Sequence, residues 1–384
     1  MSEGPRILLG VTVDLSLSLM EGFPEYLRDR GWQVHVVSSP GPRLERLGHE
    51  RGITVHAVSM ERAPRPFADL RSLFRWIRVV RMVRPRVVSV GTPKAALLGA
   101  VAAWLTRVPV RVSLLRGLRL ETSTGLQRFI LTWMERLTSA TATDVLAVSP
   151  SLRTRAIELE LVPEKKIRVL GLGSSNGVDI RAMDSAAPLD EAHRVALTEG
   201  VPVIGFVGRL AADKGLGTLA DARAELVARG VDHQLLLVGG VDEDHDSAAM
   251  ERLLNSGRPA VVVGQVPRAW PYFRLMDVLC LPTLREGFPN VVLEAAGSRV
   301  PTVTTDATGA IDSVVDGETG FLVPVGDASA LADALATVVS DPSLARRLGS
   351  AARDRAERDF DRPLVWARTE AALRALSERA VTPR

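Results

Sequence analysis

One cysteine in 384 residues, Cys280, excludes an internal disulfide framework and leaves too few thiols for a cysteine-based zinc site. Aromatic residues make up only 4% of the chain, and no base-stacking or groove-reading motif occurs, so nucleic acid is not an expected partner. No apolar run is long enough to span a bilayer: the most hydrophobic window, AALLGAVAAWL (95–105), falls well short of the ~20 residues needed. The opening MSEGPRILLG has the apolar length of a strand rather than a secretory signal, and a cytoplasmic protein is expected. GxxxxGK[ST] is absent, and Gly10 lacks the glycine spacing of a dinucleotide fingerprint. No acidic cluster is set at a strand end, so no metal cofactor is expected; DEDHD (242–246) reads as an acidic run opening a solvated helix.

What is present is an ordinary globular composition, 46% hydrophobic and 24% charged, with length for two domains. The net charge of +3 conceals an asymmetry. Residues 1–180 hold 26 Lys and Arg against 16 Asp and Glu, and residues 181–384 hold 22 against 29. The first half is therefore expected to face an anionic partner.

Apolar, β-branched runs recur at 6–13, 32–39, 53–60, 86–92, 108–115 and 144–149, with helical stretches between them. After a small, polar segment at 169–194 the rhythm restarts at 201–208, 233–240, 260–266, 277–283, 301–305 and 321–325. Near-continuous apolar strands alternating with helices predict an α/β fold of two doubly wound, Rossmann-like domains. The expected division is 1–180, 181–360 and a C-terminal helix at 361–384 that crosses back to the first domain. A ligand cleft is expected between the domains at the carboxyl ends of the strands.

Two stretches carry the chemistry. GFVGRLAADKG places Gly208 and Arg209 at a strand end and Lys214 at the next helix start, where two cations and helix N–H groups suit a diphosphate. REGFPNVVLEA places Glu286 on a loop and Glu294 one turn into the following helix, so two carboxylates flank a helix N-terminus. That arrangement suits a ligand with hydroxyl-rich ends and an anionic middle, as in a nucleotide-sugar. The plainer reading is helix-dipole chemistry for the carboxylates and solvated loop charges for the cations.

These paired motifs resemble the donor-binding half of retaining glycosyltransferases of family 4, with the GT-B fold. TPKAALLGAVAAWL, RGLRLET and GSSNGVD are similar to a subgroup that adds N-acetylhexosamine-type sugars to polyprenyl-diphosphate-linked acceptors in bacterial polysaccharide assembly. The resemblance spans residues 6 to about 340. It implies an acceptor-binding first domain, a donor-binding second domain and no metal. It implies that Arg209 and Lys214 neutralise the donor diphosphate and that Glu286 bonds the transferred sugar's hydroxyls. Gly287, Phe288, Pro289 and Asn290 form the adjoining loop. Val291 and Val292 offer N–H groups to the phosphates, Glu294 holds the ribose, and Gly264, Gln265 and Val266 hold the base.

The chain departs from the family at two points. Arg116-Gly117 stands where many members have His-Gly, and an arginine cannot serve as a general base at neutral pH. Arg116 reads equally as a phosphate ligand or as a structural partner. The glycine pair of the first strand-to-helix loop is replaced by VDLSLSLMEG, where Ser16 and Ser18 either approach a phosphate or cap their own turn. Lys94 reads as an acceptor-phosphate ligand or a surface lysine, and Asn176 and Asp179 as turn formers first and cleft contacts second. Residues 69–86 place Arg71, Arg75, Arg78, Arg81 and Arg84 at helical spacing beside Leu73, Phe74, Ile77, Val80, Met82 and Trp76. Much of that apolar face is expected to pack on the sheet, and the arginines with Trp76 suit an anionic membrane surface. The rival functions are a natural-product glycosyltransferase using a soluble or short-lipid acceptor, a nucleotide-sugar epimerase and a non-catalytic sugar-binding protein.

Overall fold

Successive residues of one strand serve two different cores, which is why the strands read as unbroken apolar runs. In strand β1 (Arg6–Gly10), Ile7 and Leu9 enter one buried cluster with Val34, Val36 and Val112, while Leu8 enters another with Val37, Val88 and Trp76. A computed structural model describes residues 4–61, 65–189, 197–242 and 246–380. Residues 243–245 of the acidic run lie outside the described residues. The chain forms two compact units: unit 1 is Met1–Asn176 with Pro363–Arg384, and unit 2 is Gly177–Arg362.

Unit 1 holds a seven-stranded parallel sheet, ordered β3-β2-β1-β4-β5-β6-β7. Its strands are β1, β2 (Gln33–Ser38), β3 (Thr54–Ala57), β4 (Val87–Gly91), β5 (Val110–Leu115), β6 (Asp144–Ala147) and β7 (Ile167–Val169). The short β7 was not among the expected strands; three residues give too little periodicity to stand out. The helix Arg362–Arg379 adds Leu373 and Leu376 to the first core cluster. Trp32 Nε1 donates to Glu370 Oε1 at 3.0 Å, and Arg86 donates twice to the Ser377 carbonyl, at 2.9 and 2.8 Å.

The other face of the sheet carries the helices Pro66–Val83, Pro93–Leu105 and Gly125–Thr141, packed side by side in chain order. Trp76 is fully buried under the first of them, with Nε1 3.3 Å from Met60 Sδ, and a Cβ at Gly10 would overlap its ring. This corrects the expectation that Trp76 contacts headgroups: it is a core residue. Leu73, Ile77 and Val80 pack inward as expected, whereas Phe74 and Met82 are exposed.

On the third helix Glu135 is half-buried, and burial pushes its carboxyl up to about 7. The folded state then binds more protons than the unfolded one between about pH 4.5 and 7, so rising pH through that window destabilises the fold. Glu135→Gln should therefore raise the melting temperature at pH 8, by an amount equivalent to at most about 3 kcal/mol, and leave it unchanged at pH 4. Calorimetry at both pH values checks this; an equal effect at both contradicts the assignment.

Unit 2 repeats the design with six parallel strands, ordered β10-β9-β8-β11-β12-β13, around one large core cluster. These are β8 (Val203–Val207), β9 (Gln234–Val238), β10 (Val261–Gly264), β11 (Val278–Leu281), β12 (Thr302–Thr305) and β13 (Gly320–Val323). The order runs outward from β8 in one direction to β10, then resumes on its other side at β11. The connections after β8 and β11 therefore run to opposite ends of the sheet, which makes the carboxyl ends of this strand pair the switch point.

Candidate functional site

Both chemistry-bearing motifs of unit 2 lie at that switch point. After β8 the chain passes Gly208 and Arg209, forms a single 3-10 turn, Ala212–Lys214, and enters the helix Leu216–Ala228 through Gly215. After β11 it passes Pro282–Phe288 and enters the helix Asn290–Gly297.

The two loops are fastened to each other by their backbones. Leu284 N–H and Thr283 Oγ1 both donate to the Asp213 carbonyl, at 3.0 and 3.2 Å. Arg285 Nη2 donates to Asp213 Oδ2 at 2.8 Å. Gly215 has φ +74°, and a Cβ there would overlap the Pro282 carbonyl oxygen, so only glycine allows this approach. From the other side Glu286 N–H donates to the Thr308 carbonyl at 2.8 Å, and Gly309, at φ +77°, packs its Cα against the Glu286 and Gly287 carbonyls.

This scaffold brings Lys214 and Glu286 together: Nζ lies 2.5 Å from Oε1, with both side chains largely buried. The charged-group inventory is more balanced than the sequence suggests. Arg209, half exposed, pairs with Asp242 and lies 3.6 Å from Asp213. Three cations (Arg209, Lys214, Arg285) thus face three carboxylates (Asp213, Asp242, Glu286). A bound anion would draw on Lys214 and on the positive ends of the two helices rather than on two unanswered charges.

Pro289 precedes the helix Asn290–Gly297, whose first N–H groups have no partner within the helix. Asn290 Oδ1 is buried without a hydrogen-bond partner, Val291 is partly buried, and Val292 N–H returns to the Pro289 carbonyl at 3.1 Å. That bond leaves Val292 less suited to a phosphate than Asn290 or Val291. Phe288 is buried against Phe360, ring centroids 5.1 Å apart. Glu294 accepts from Trp270 Nε1 at 3.2 Å; burial raises its pKa above the ordinary carboxylate value, and that hydrogen bond partly offsets the rise. Gly264 closes β10 at φ +77°, its carbonyl accepting from Gly239 N–H at 2.8 Å, and Gln265 lies beside Gly240. Val266 and Trp270 border an open concavity of about 480 Å³.

Sequence reasoning missed Asp213, Arg285 and Trp270. The first two sit inside the quoted motifs, adjacent to Lys214 and Glu286, and their charge was the available signal. Trp270 had none, because nothing in PRAWPY points 24 residues ahead to Glu294.

In unit 1 the secondary candidates divide. Ser18 Oγ donates to the Leu15 carbonyl at 2.8 Å, so it caps its own turn, and Ser16 N–H closes that turn on Val13. Asp14 instead holds the helix Pro42–His49, accepting from Leu44 N–H at 2.8 Å. Lys94 is neither a surface lysine nor an exposed ligand: it is 5% exposed, with Nζ 2.7 Å from Asp69. Asn176 Oδ1 accepts from Trp366 Nε1 at 2.7 Å; in unit 2, Asp179 caps its helix through Ala182 N–H at 3.0 Å. Arg116 lies at the end of β5, lining a cavity with residues from β1, β4, β6 and the final helix. Among the described residues no group of three or more His, Cys, Asp or Glu is gathered to hold a metal ion.

Comparison with known proteins fits this geometry. Residues 21–173 match the family model described as "Glycosyl transferase 4-like domain", and residues 201–341 match "Glycosyl transferases group 1". The chain is 38% identical over 370 residues to the capsular polysaccharide biosynthesis glycosyltransferase CapM of Staphylococcus aureus, covering 96% of each. Its fold is that of a sucrose-phosphate synthase from Thermosynechococcus elongatus, with TM-score 0.79 and 21% identity over 97% of this chain and 99% of that one. It is also that of Anabaena Alr3699/HepE in complex with UDP-glucose, with TM-score 0.76 and 20% identity over 96% and 99%.

Proposed function

The chain belongs to the group 1, family-4-like glycosyltransferases of GT-B fold, and on that premise we propose that it transfers a hexosyl group with retention of anomeric configuration. The donor in this reading is a UDP-sugar of the N-acetylhexosamine type, bound by unit 2. The acceptor is a sugar on a polyprenyl diphosphate, bound by unit 1, in capsular or related surface polysaccharide assembly. The S. aureus relative's name supports capsular polysaccharide assembly, and the UDP-glucose complex of the Anabaena protein supports a UDP-sugar donor.

The observation that carries the reading is the Lys214–Glu286 pair beside the N-terminus of Asn290–Gly297. Lys214 neutralises the departing diphosphate, helped by the N–H groups of Asn290 and Val291 and by Arg209 once it turns from Asp242. Glu286, held by its backbone bond to Thr308, accepts from hydroxyls of the transferred sugar and fixes its orientation. Glu294, oriented by Trp270, accepts from the ribose hydroxyls, and Gly264–Val266 lie along the base. No carboxylate acts as nucleophile in this scheme; the leaving phosphate takes the acceptor proton on the face where the new bond forms. Neither step uses a metal ion.

A donor screen tests it. UDP should be released from UDP-N-acetylhexosamines only when a polyprenyl-diphosphate-linked sugar is present, and the product should gain one N-acetylhexosamine residue in mass. Release of no nucleotide from any nucleoside-diphosphate sugar sinks the proposal.

Such an acceptor lies in a membrane, and unit 1 has a surface suited to one. All five exposed large aromatic side chains among the described residues lie on its three side-by-side helices: Phe67, Phe74, Trp104, Phe129 and Trp133. Leu126, Ile130 and Leu137 extend the apolar face along the third helix. Arg71, Arg75, Arg78, Arg81 and Arg128 are exposed on the same helices. Clustered exposed aromatic and aliphatic side chains mark interaction sites, and interleaved arginines select an anionic partner. The proposal is peripheral binding to an anionic bilayer; no described helix is long and apolar enough to cross one.

A further inference from the structure

Arginines buried elsewhere in the chain are answered by oxygen. Arg353 forms paired bonds to Asp184 at 2.9 and 2.8 Å, and Arg223 donates to the carbonyls of Leu253 and Arg258. Arg116 is different. Nη1 reaches the Leu19 carbonyl at 3.4 Å, Nε is buried with no hydrogen-bond partner, and no carboxylate among the described residues pairs with it. One long bond serves a group with five donors. Burial pushes its pKa down to about 10, which leaves it cationic at pH 7. Arg116 is partly buried, and a partly buried charge without a counter-ion is costly, which weighs against the structural-partner reading.

The guanidinium borders a cavity of about 50 Å³ built within unit 1 alone, several times the roughly 10–15 Å³ that one water needs. Ser89, Ser175 and Asn176 supply polar wall, and Met20 and Trp366 supply apolar wall. Gly91 lets Nε pack closely against β4, since a Cβ there would sit 2.9 Å from Nε. The geometry points to an oxyanion site in unit 1, in which Arg116 binds a phosphate of the acceptor's diphosphate through its terminal Nη groups with the serine hydroxyls donating alongside. The identity of that anion as the acceptor's rests on the transfer reading above. A tetrahedral phosphate fits better than a planar carboxylate here, because hydroxyl donors from β4 (Ser89) and from the segment after β7 (Ser175) can reach oxygens that a carboxylate lacks.

Inorganic pyrophosphate titrated calorimetrically into the full chain tests the site. In Lys214→Ala, which weakens the unit 2 phosphate site, binding should persist. Adding Arg116→Met should weaken it at least tenfold, and Arg116→Lys should retain part of it. Arg116→Met alone should leave UDP affinity unchanged. Its unliganded melting temperature should equal or exceed that of the parent, because an unanswered buried charge is removed; a structural role demands a fall. Pyrophosphate binding indifferent to Arg116→Met, a clear drop in its melting temperature, or binding of glucuronate in place of pyrophosphate would each overturn the proposal. Failure of UDP release with every donor would instead strike the transfer reading, so the two failures are distinguishable.

Discussion

Lys214→Ala should lower kcat for UDP release on the order of a hundredfold or more, the usual cost of removing a donor aimed at developing charge. The expectation follows from where the loop holds the amine. Asp213, one residue earlier, is tied by its carbonyl to Thr283 and Leu284 and by its carboxylate to Arg285, so Lys214 has little freedom to leave Glu286. Glu286→Ala should cost a comparable factor by releasing the transferred sugar and leaving Lys214 without its partner. Glu286→Gln should cost less, since an amide oxygen still accepts from a hydroxyl. The double variant Lys214→Ala/Glu286→Ala should be much less impaired than the product of the single losses, because the two groups act as one unit. Steady-state UDP release measures all four chains. A Lys214→Ala enzyme within threefold of its parent, or strictly multiplicative losses, would remove the pair from the mechanism.

Substituting the exposed face of unit 1 should abolish flotation with phosphatidylglycerol vesicles while leaving the fold intact. Replacing Arg71, Arg75, Arg78 and Arg81 by serine removes about 1 kcal/mol of headgroup attraction each, enough to shift partitioning by roughly three orders of magnitude. Replacing Phe129 and Trp133 by alanine removes apolar area that the fold does not use: both rings are exposed, 6.2 Å apart and edge-on. Raised salt should weaken the parent's binding, and neutral phosphatidylcholine should bind it poorly. Trp76→Phe is the control. That residue lies in the core, so the change should lower stability without a selective effect on flotation. A parent chain that fails to float with anionic vesicles ends the membrane proposal.

Much of this protein was legible in its residues because the relevant physics is local. Strands buried on both faces are nearly continuous apolar runs, so RILLG and QLLLV point to parallel sheets from sequence alone. The strand–loop–helix junctions at Gly208–Lys214 and Glu286–Glu294 were visible for the same reason: short-range backbone chemistry sets where a helix opens and which side chains flank its N–H groups. The 69–86 stretch shows the limit. Its helical spacing was correct, but spacing cannot tell Trp76, which lies inward beneath Gly10 and Gly99, from Phe74 two positions away, which is exposed. Nor could it join that helix to the Gly125–Thr141 helix, which carries Phe129 and Trp133.

The sequence by itself determined the two α/β units, the family and the identity of the residues at the switch point, because periodicity and junction chemistry are properties of neighbouring residues. Only the tertiary structure decided how those charges are answered. Lys94 belongs to Asp69, Arg209 to Asp242 and Lys214 to Glu286, whereas Arg116 meets no carboxylate among the described residues. Pairing depends on which loops the folded sheet brings within a few ångströms, and separations of 25 to 72 residues along the chain leave no trace in a local pattern.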